Sequence, residues 1–248
     1  MRVPHSTPHR DARTHRPAVV VRTNVVCVPA DVDTADLRHH ATETLAVRGL
    51  PTAGVLPHFT TRTRRTRKLI DRWRGRTSGG PIRLLDLDAM RRAAVAAAAA
   101  EWALWARVVD DTRPATPFWS YVERHTADPD RYPVSRAQAD YLAQPRIVAM
   151  AAHNALPNRP LLLPTAAVEA FQAGYTTYLN LAWLAAVPAD GFAPVTGGWL
   201  CPASQRLRHR LDYLAAANAH LNHLTPQTRL VAVASRVQHR PQPAAQTS

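Results

Sequence analysis

Apolar residues recur at helical spacing over most of the chain, which predicts a largely helical protein. The clearest case follows Asp86 and Asp88, either of which can cap a long helix. Its apolar positions, three and four residues apart, are Leu87, Met90, Ala94, Ala98, Trp102, Trp105 and Val109. Further helices are predicted at Asp33–Arg48, from Thr116, from Ser135 with a break or kink at Pro145, at Thr165–Val187 and at Ala203–Leu224.

Three shorter stretches have the character of strands. Ala18–Val28 is rich in β-branched residues, Ala53–Leu56 is a weaker candidate, and Leu230–Val237 alternates between small and large side chains. We expect the last of these to pair with the N-terminal strand. The predicted fold class is therefore mainly α: a helical bundle with a minor β component formed by N-terminal and C-terminal strands, and with disordered basic termini.

Loop signals suggest where this fold divides. Residues 1–17 mix Pro, His, Arg and Thr without periodicity and are predicted to form a disordered basic arm. Arg76–Pro81, with the sequence RTSGGP, is typical of a linker. The expected organisation is the arm, a small α/β region over 18–76 that carries an arginine-rich segment, a helical domain over 77–240 and a disordered tail over 241–248.

The composition favours a cytoplasmic protein. The chain has 248 residues, of which 46% are hydrophobic, but it has no uncharged apolar run long enough to span a membrane. Its first residues lack the apolar core of a secretory signal. The two cysteines, Cys27 and Cys201, are far apart in sequence, so a disulfide framework or a thiolate zinc site is not expected.

Basic residues are concentrated towards the two ends of the chain, although the formal net charge of +13 is partly a bias towards arginine. Lysine occurs only at position 68. Residues 1–80 hold 15 Lys and Arg against 6 Asp and Glu, residues 81–200 hold 10 against 11, and residues 201–248 hold 6 against 1. A neutral middle with basic ends is typical of proteins that contact a polyanion.

The strongest local feature is the stretch from Arg62 to Arg76, with eight basic residues and one acid in fifteen positions. As a helix it would place Thr66, Leu69, Ile70 and Trp73 on a docking face. Guanidinium groups match phosphate oxygens, and Trp73 suits either stacking on a base or packing in the core. The candidate nucleic-acid-binding residues are Arg62, Arg64, Arg65, Arg67, Lys68, Arg72, Trp73, Arg74 and Arg76. A solvated surface helix and another acidic partner are the alternative interpretations.

Motifs for defined chemistry are missing. The sequence has no P-loop, dinucleotide-binding, nucleophile-elbow or zinc-protease motif, and we predict no cofactor and no metal. A helix-turn-helix ending in the helix from Ser135 is disfavoured, since the preceding segment with Pro129 and Pro133 is too long for the usual turn. The positions Asp110 and Asp111 and the pair His220 and His223 are compatible with a ligand or metal site, but a structural role is favoured for each.

These observations favour a non-enzymatic nucleic-acid-binding protein that contacts phosphates through its arginine-rich segment. DNA is the favoured polymer, although charge alone does not distinguish DNA from RNA. The alternative is a helical enzyme or small-ligand-binding protein with its site in the aromatic, charge-neutral middle, where Asp110, Asp111 or the two histidines would act. A third interpretation is a partner-docking protein that uses the last helix. The sequence does not indicate an oligomeric state.

Overall fold

A pairing between two long strands organises the fold. The computed structural model describes residues 20–62, 67–159 and 161–237. Within them, β1 (Val20–Val28) and β7 (Arg229–Val237) lie antiparallel along all nine residues of each strand. This confirms the predicted pairing of the N-terminal and C-terminal strands, whose β-branched residues favour the extended conformation.

Shorter strands widen this pair into a mixed five-stranded sheet. Its short strands are β2 (Thr52–Val55), β5 (Gly79–Pro81) and β6 (Gly191–Ala193). The order is β2–β7–β1–β6, and β5 also pairs with β7. β6 runs parallel to β1, while the other pairings are antiparallel. A separate two-stranded sheet joins β3 (Phe59–Thr60) to β4 (Arg76–Thr77).

Eight α-helices surround the sheet in the residues that the structure describes. Their bounds are α1 (Leu37–Ala46), α2 (Leu87–Val108), α3 (Phe118–Ala127), α4 (Val134–Leu142), α5 (Pro145–Ala155), α6 (Val168–Gln172), α7 (Tyr175–Ala185) and α8 (Leu207–Asn222). The predicted break at Pro145 is confirmed, because α4 ends before this residue and α5 begins at it. The Asp86 side chain caps α2 by accepting a hydrogen bond from Ala89 N at 3.1 Å.

The predicted fold class is wrong. Of the described residues, 47% are helical and 17% are in strands, which is a mixed α/β architecture and not that of a helical bundle with minor strands. The error came from short segments such as β5 and β6, which have three residues each and contain glycine. Segments this short show no alternation of polar and apolar residues, so their sequences resemble loops.

The sheet separates two hydrophobic layers. Along β7, Leu230 and Ala232 face the larger cluster, formed with α2 and the helices that follow it. Val231 and Val233 face the smaller cluster, formed with α1. This alternation follows from the two-residue period of a strand. The fold therefore has three layers: α1 on one face of the sheet, the sheet itself, and the helices from α2 onwards on the other face.

The sheet contains strands from both predicted regions, because β1 comes from 18–76 and β7 from 77–240. The predicted arm over 1–17 and tail over 241–248 lie outside the described residues. Among the helices of the described part, none is long and apolar enough to cross a membrane.

Candidate nucleic-acid interface

The described part of the arginine-rich segment ends in a tight β-hairpin. Trp73 and Arg76 exchange two backbone hydrogen bonds, each with an N to O distance of 2.8 Å. The two residues between them have positive φ angles, 45° at Arg74 and 80° at Gly75. Positive φ at both central positions is the feature of a two-residue type I′ turn, and glycine adopts it without steric cost. We call residues 67–79 the basic hairpin.

Two neighbouring residues anchor the basic hairpin in opposite layers. Leu69 belongs to the larger hydrophobic cluster, and Ile70 belongs to the smaller one beside α1. The backbone of Ile70 also donates to Gly79 O at 2.9 Å. Because both hydrophobic layers hold the base of the hairpin, its tip extends from a fixed position.

The second arm of the hairpin packs against the central sheet. Ala232 N of β7 donates to Ser78 O at 2.8 Å, and the fully buried Thr77 hydroxyl donates to Ile70 O. A Cβ on Gly79 would lie 2.4 Å from Leu230 O, so the two strands approach as closely as glycine allows. The prediction that Arg76–Pro81 is a linker is therefore wrong. Its glycines serve close packing rather than flexibility.

The described part of the segment is not helical. Leu69 and Ile70 are buried, as a docking face requires, but Trp73 is 63% exposed. Thr66, the fourth residue of the predicted face, lies outside the described residues. The sequence suggested that Trp73 either packs in the core or stacks on a base. Packing in the core is wrong, because the ring is exposed, and stacking on a base stays a prediction.

Four cations of the basic hairpin face solvent. They are Arg67, Lys68, Arg74 and Arg76. Within the part of the chain that the structure describes, no carboxylate oxygen lies within 4.0 Å of their charged nitrogens. Their charges are therefore available to an external anion.

The remaining candidate cations differ from these four. Arg62 lies 3.7 Å from Asp86 and 3.6 Å from Asp88, so two carboxylates offset its charge. Arg72 is half-buried and engaged in contacts of its own. Arg64 and Arg65 lie outside the described residues. The structure thus brings part of the predicted set together on one hairpin.

The only acid of the segment is paired with a residue from another element. Asp71 accepts two hydrogen bonds from the Nη2 group of Arg38 in α1, at 2.6 and 2.7 Å. Arg38 was not among the predicted site residues, because it is 33 positions from Asp71 and no local pattern links the two residues. This pairing partly cancels the charge of the carboxylate, so Asp71 offsets the hairpin's own cations less than a free aspartate would.

The other candidate residues are not assembled into a site. Asp110 and Asp111 are exposed beyond the end of α2, and His220 and His223 are exposed at the end of α8. The described residues contain no group of three or more His, Cys, Asp or Glu side chains arranged to hold a metal ion. The structure therefore supplies neither pair with the further ligands that a metal ion needs.

Part of the aromatic middle packs in the core, although Tyr175 and Trp183 are 46% and 40% exposed, and a cavity lies at its edge. Trp105 and Tyr178 both stack on Phe171, at centroid distances of 5.1 and 4.5 Å. The Tyr178 hydroxyl donates to Glu101 Oε2 at 2.8 Å, and burial raises the pKa of Tyr178. Both polar groups, with Arg210, border a cavity of about 390 Å³.

Comparisons with known proteins find no family model, no curated protein and no solved structure that matches this chain.

Proposed function

We propose that the protein binds nucleic acid without catalysing a reaction on it, and that the basic hairpin supplies the main phosphate contacts. The observation that carries the proposal is the exposure of Arg67, Lys68, Arg74 and Arg76 on an anchored hairpin, without a described carboxylate near their charges. Some surface cations elsewhere in the fold, such as Arg131 and Arg208, lie within ion-pair distance of aspartates instead.

Phosphate binding suits this arrangement for two reasons. An arginine guanidinium donates hydrogen bonds in a planar fork that matches two phosphate oxygens. Each contact also releases a condensed counterion from the polymer, so several cations on one surface contribute together. The basic segments at 1–17 and around Arg240 are proposed to add less specific attraction over longer range. DNA is the favoured polymer and RNA the alternative.

The test compares two variants with the same change in net charge. In the hairpin variant, Arg67, Lys68, Arg74 and Arg76 are replaced by glutamine. In the matched control, four exposed arginines of the helical part are replaced by glutamine: Arg92, Arg107, Arg113 and Arg208. Binding of the full chain to fluorescent DNA and RNA, single-stranded and duplex, is measured by anisotropy at about 50 mM salt.

We expect the hairpin variant to bind at least about tenfold more weakly than the wild type, and the matched control to change less than about threefold. Equal losses in the two variants would mean that only total charge matters. Negligible binding of the wild type to all four polymers would contradict the proposal outright.

A second candidate function has one specific observation in its favour. The cavity of about 390 Å³ beside Glu101, Tyr178 and Arg210 has a size typical of small-molecule sites. It combines an apolar wall with groups of both charges. A small molecule retained in native mass spectrometry by the wild type, and lost in Glu101→Gln, would support this candidate.

A further inference from the structure

Trp73 occupies an unusual position for a tryptophan. It is 63% exposed and stands at the turn of the basic hairpin, where it contributes little to either hydrophobic cluster. Tryptophan is ordinarily a major contributor of buried apolar surface, so a ring left in water at a fixed tip is not explained by stability. Its surface is available for contact with another molecule.

The side chain of Arg74 lies over the Trp73 ring. The Arg74 guanidinium carbon lies 5.2 Å from the centroid of the Trp73 ring, within the range of a cation–π contact. A single guanidinium covers at most one face of an indole. The exposed ring therefore combines a free aromatic surface with a positive charge next to it, and Arg76 lies across the turn.

We propose that Trp73 stacks on an unpaired base, so that the basic hairpin prefers single-stranded nucleic acid to duplex. The inference rests on the proposed function, since phosphate contacts by the hairpin cations bring the strand to the ring. Single-stranded DNA and single-stranded RNA offer the same chemistry, a planar base with free faces next to a phosphate.

The preference for a single strand follows from the state of the bases. In a duplex both faces of each base are covered by its neighbours, and an inserted side chain must first separate them. In a single strand that separation costs much less, and stacking on an aromatic side chain is tolerant of sequence. The two-residue turn also fixes the backbone that carries the ring before binding, so the backbone loses little conformational freedom on binding.

The experiment removes the ring and the base separately. The full chain, Trp73→Ala, Trp73→Phe and the hairpin variant are titrated against four probes of about 20 units. The probes are oligo-dT, oligo-U, a DNA duplex and an abasic deoxyribose-phosphate strand, which keeps the phosphates and lacks the bases. Because the Trp73 side chain is exposed, the alanine variant is expected to keep its thermal midpoint.

We expect Trp73→Ala to bind oligo-dT and oligo-U about tenfold more weakly, and to bind the duplex and the abasic strand within about twofold of the wild type. Trp73→Phe should recover most of the loss. A larger loss on one oligomer than on the other would identify DNA or RNA as the better ligand and would support the inference.

The inference is overturned if Trp73→Ala leaves binding to both oligomers unchanged, or if it weakens binding to all four probes equally. In either case a loss of affinity in the hairpin variant would leave the proposed function standing. If the hairpin variant also binds every probe as the wild type does, the proposed function fails as well.

Discussion

Arg38 and Asp71 join α1 to the basic hairpin by two charge-assisted hydrogen bonds, in which Arg38 Nη2 donates to both carboxylate oxygens at 2.6 and 2.7 Å. Both side chains are about half exposed, so the pair contributes at most about 1 kcal/mol to stability. The pair has a larger effect on the electrostatic potential at the surface of the basic hairpin. Asp71 holds a negative charge beside four exposed cations, and Arg38 partly cancels it.

Removal of this carboxylate should strengthen nucleic-acid binding. In Asp71→Asn the hairpin surface gains one net positive charge, and asparagine tolerates the positive φ of 42° at this position. We expect the affinity for a nucleic acid to rise about twofold to fivefold at low salt, and the gain to disappear in high salt. The control is Asp212→Asn, an exposed acid on α8 that is also near an arginine. Equal gains in both variants would contradict the assignment of the surface.

A substitution in the turn of the hairpin should weaken nucleic-acid binding more than an equally destabilising substitution in another turn. Gly75→Ala introduces a side chain at φ +80° without any steric contact within 4 Å, so its cost is backbone strain of about 1–2 kcal/mol. Gly49→Ala has the same character, at φ +69°, in the turn after α1. Thermal unfolding should show similar losses for the two variants, and only Gly75→Ala should weaken nucleic-acid binding. A matching loss of binding in Gly49→Ala would point to general destabilisation.

Acid should destabilise the fold through His58. Burial lowers the pKa of His58 below its ordinary value of 6.5, despite the contact of Nε2 with Val187 O at 3.1 Å, and the charge of Arg76 lowers it further. The unfolded chain therefore takes up a proton in a pH range where the folded chain does not. The free energy of unfolding should be steady above about pH 6.5 and should fall as the pH drops towards the folded pKa, by at most about 1.4 kcal/mol per unit for one proton.

Urea unfolding at several pH values between about 5 and 8 tests this, with His58→Gln as the comparison. The variant should lose less stability on acidification than the wild type, because the other histidines are common to both chains. Identical pH profiles would show that His58 is not the responsible group.

The two cysteines should differ sharply in reactivity. Cys27 is buried in β1, and burial raises the pKa of its thiol to about 12, while Cys201 is exposed. The thiolate is the reactive form of cysteine. A thiol reagent at pH 8 should therefore modify Cys201 quickly in the folded protein and Cys27 only after denaturation. Cys201→Ser should abolish the fast phase. A fast phase that survives this substitution would contradict the burial of β1.

The sequence predicts α2, β1 and β7 well, but it predicts the short strands poorly and misses the break at Gly174 within the expected helix over Thr165–Val187. The period of apolar residues located α2, and the β-branched runs located β1 and β7, because long elements repeat their pattern several times. β5 and β6 are held by hydrogen bonds to distant strands and not by a pattern of their own. A central sheet built partly from such segments was therefore mistaken for a minor component.

The sequence predicted which residues give the candidate site its positive charge, but it predicted a helix where the structure has a hairpin. Spacings of three and four residues among Leu69, Ile70 and Trp73 suit a helix, yet they occur here in a hairpin whose tip exposes the ring. The dipeptide Arg74-Gly75 was the available signal for a turn, although it is weaker than Asn-Gly or Asp-Gly. The pairing of Arg38 with Asp71 depends on the tertiary fold, so no local reading of the sequence reveals it.

The central claim is that the basic hairpin contacts phosphates directly, and the salt dependence of binding tests it most directly. The logarithm of the association constant is plotted against the logarithm of salt concentration for the wild type, the hairpin variant and the matched control. If all four cations contact phosphates, the slope for the hairpin variant should be shallower by about 3–4 on duplex DNA and by about 3 on single strands, and the control should follow the wild type. Parallel lines for the wild type and the hairpin variant would contradict the account.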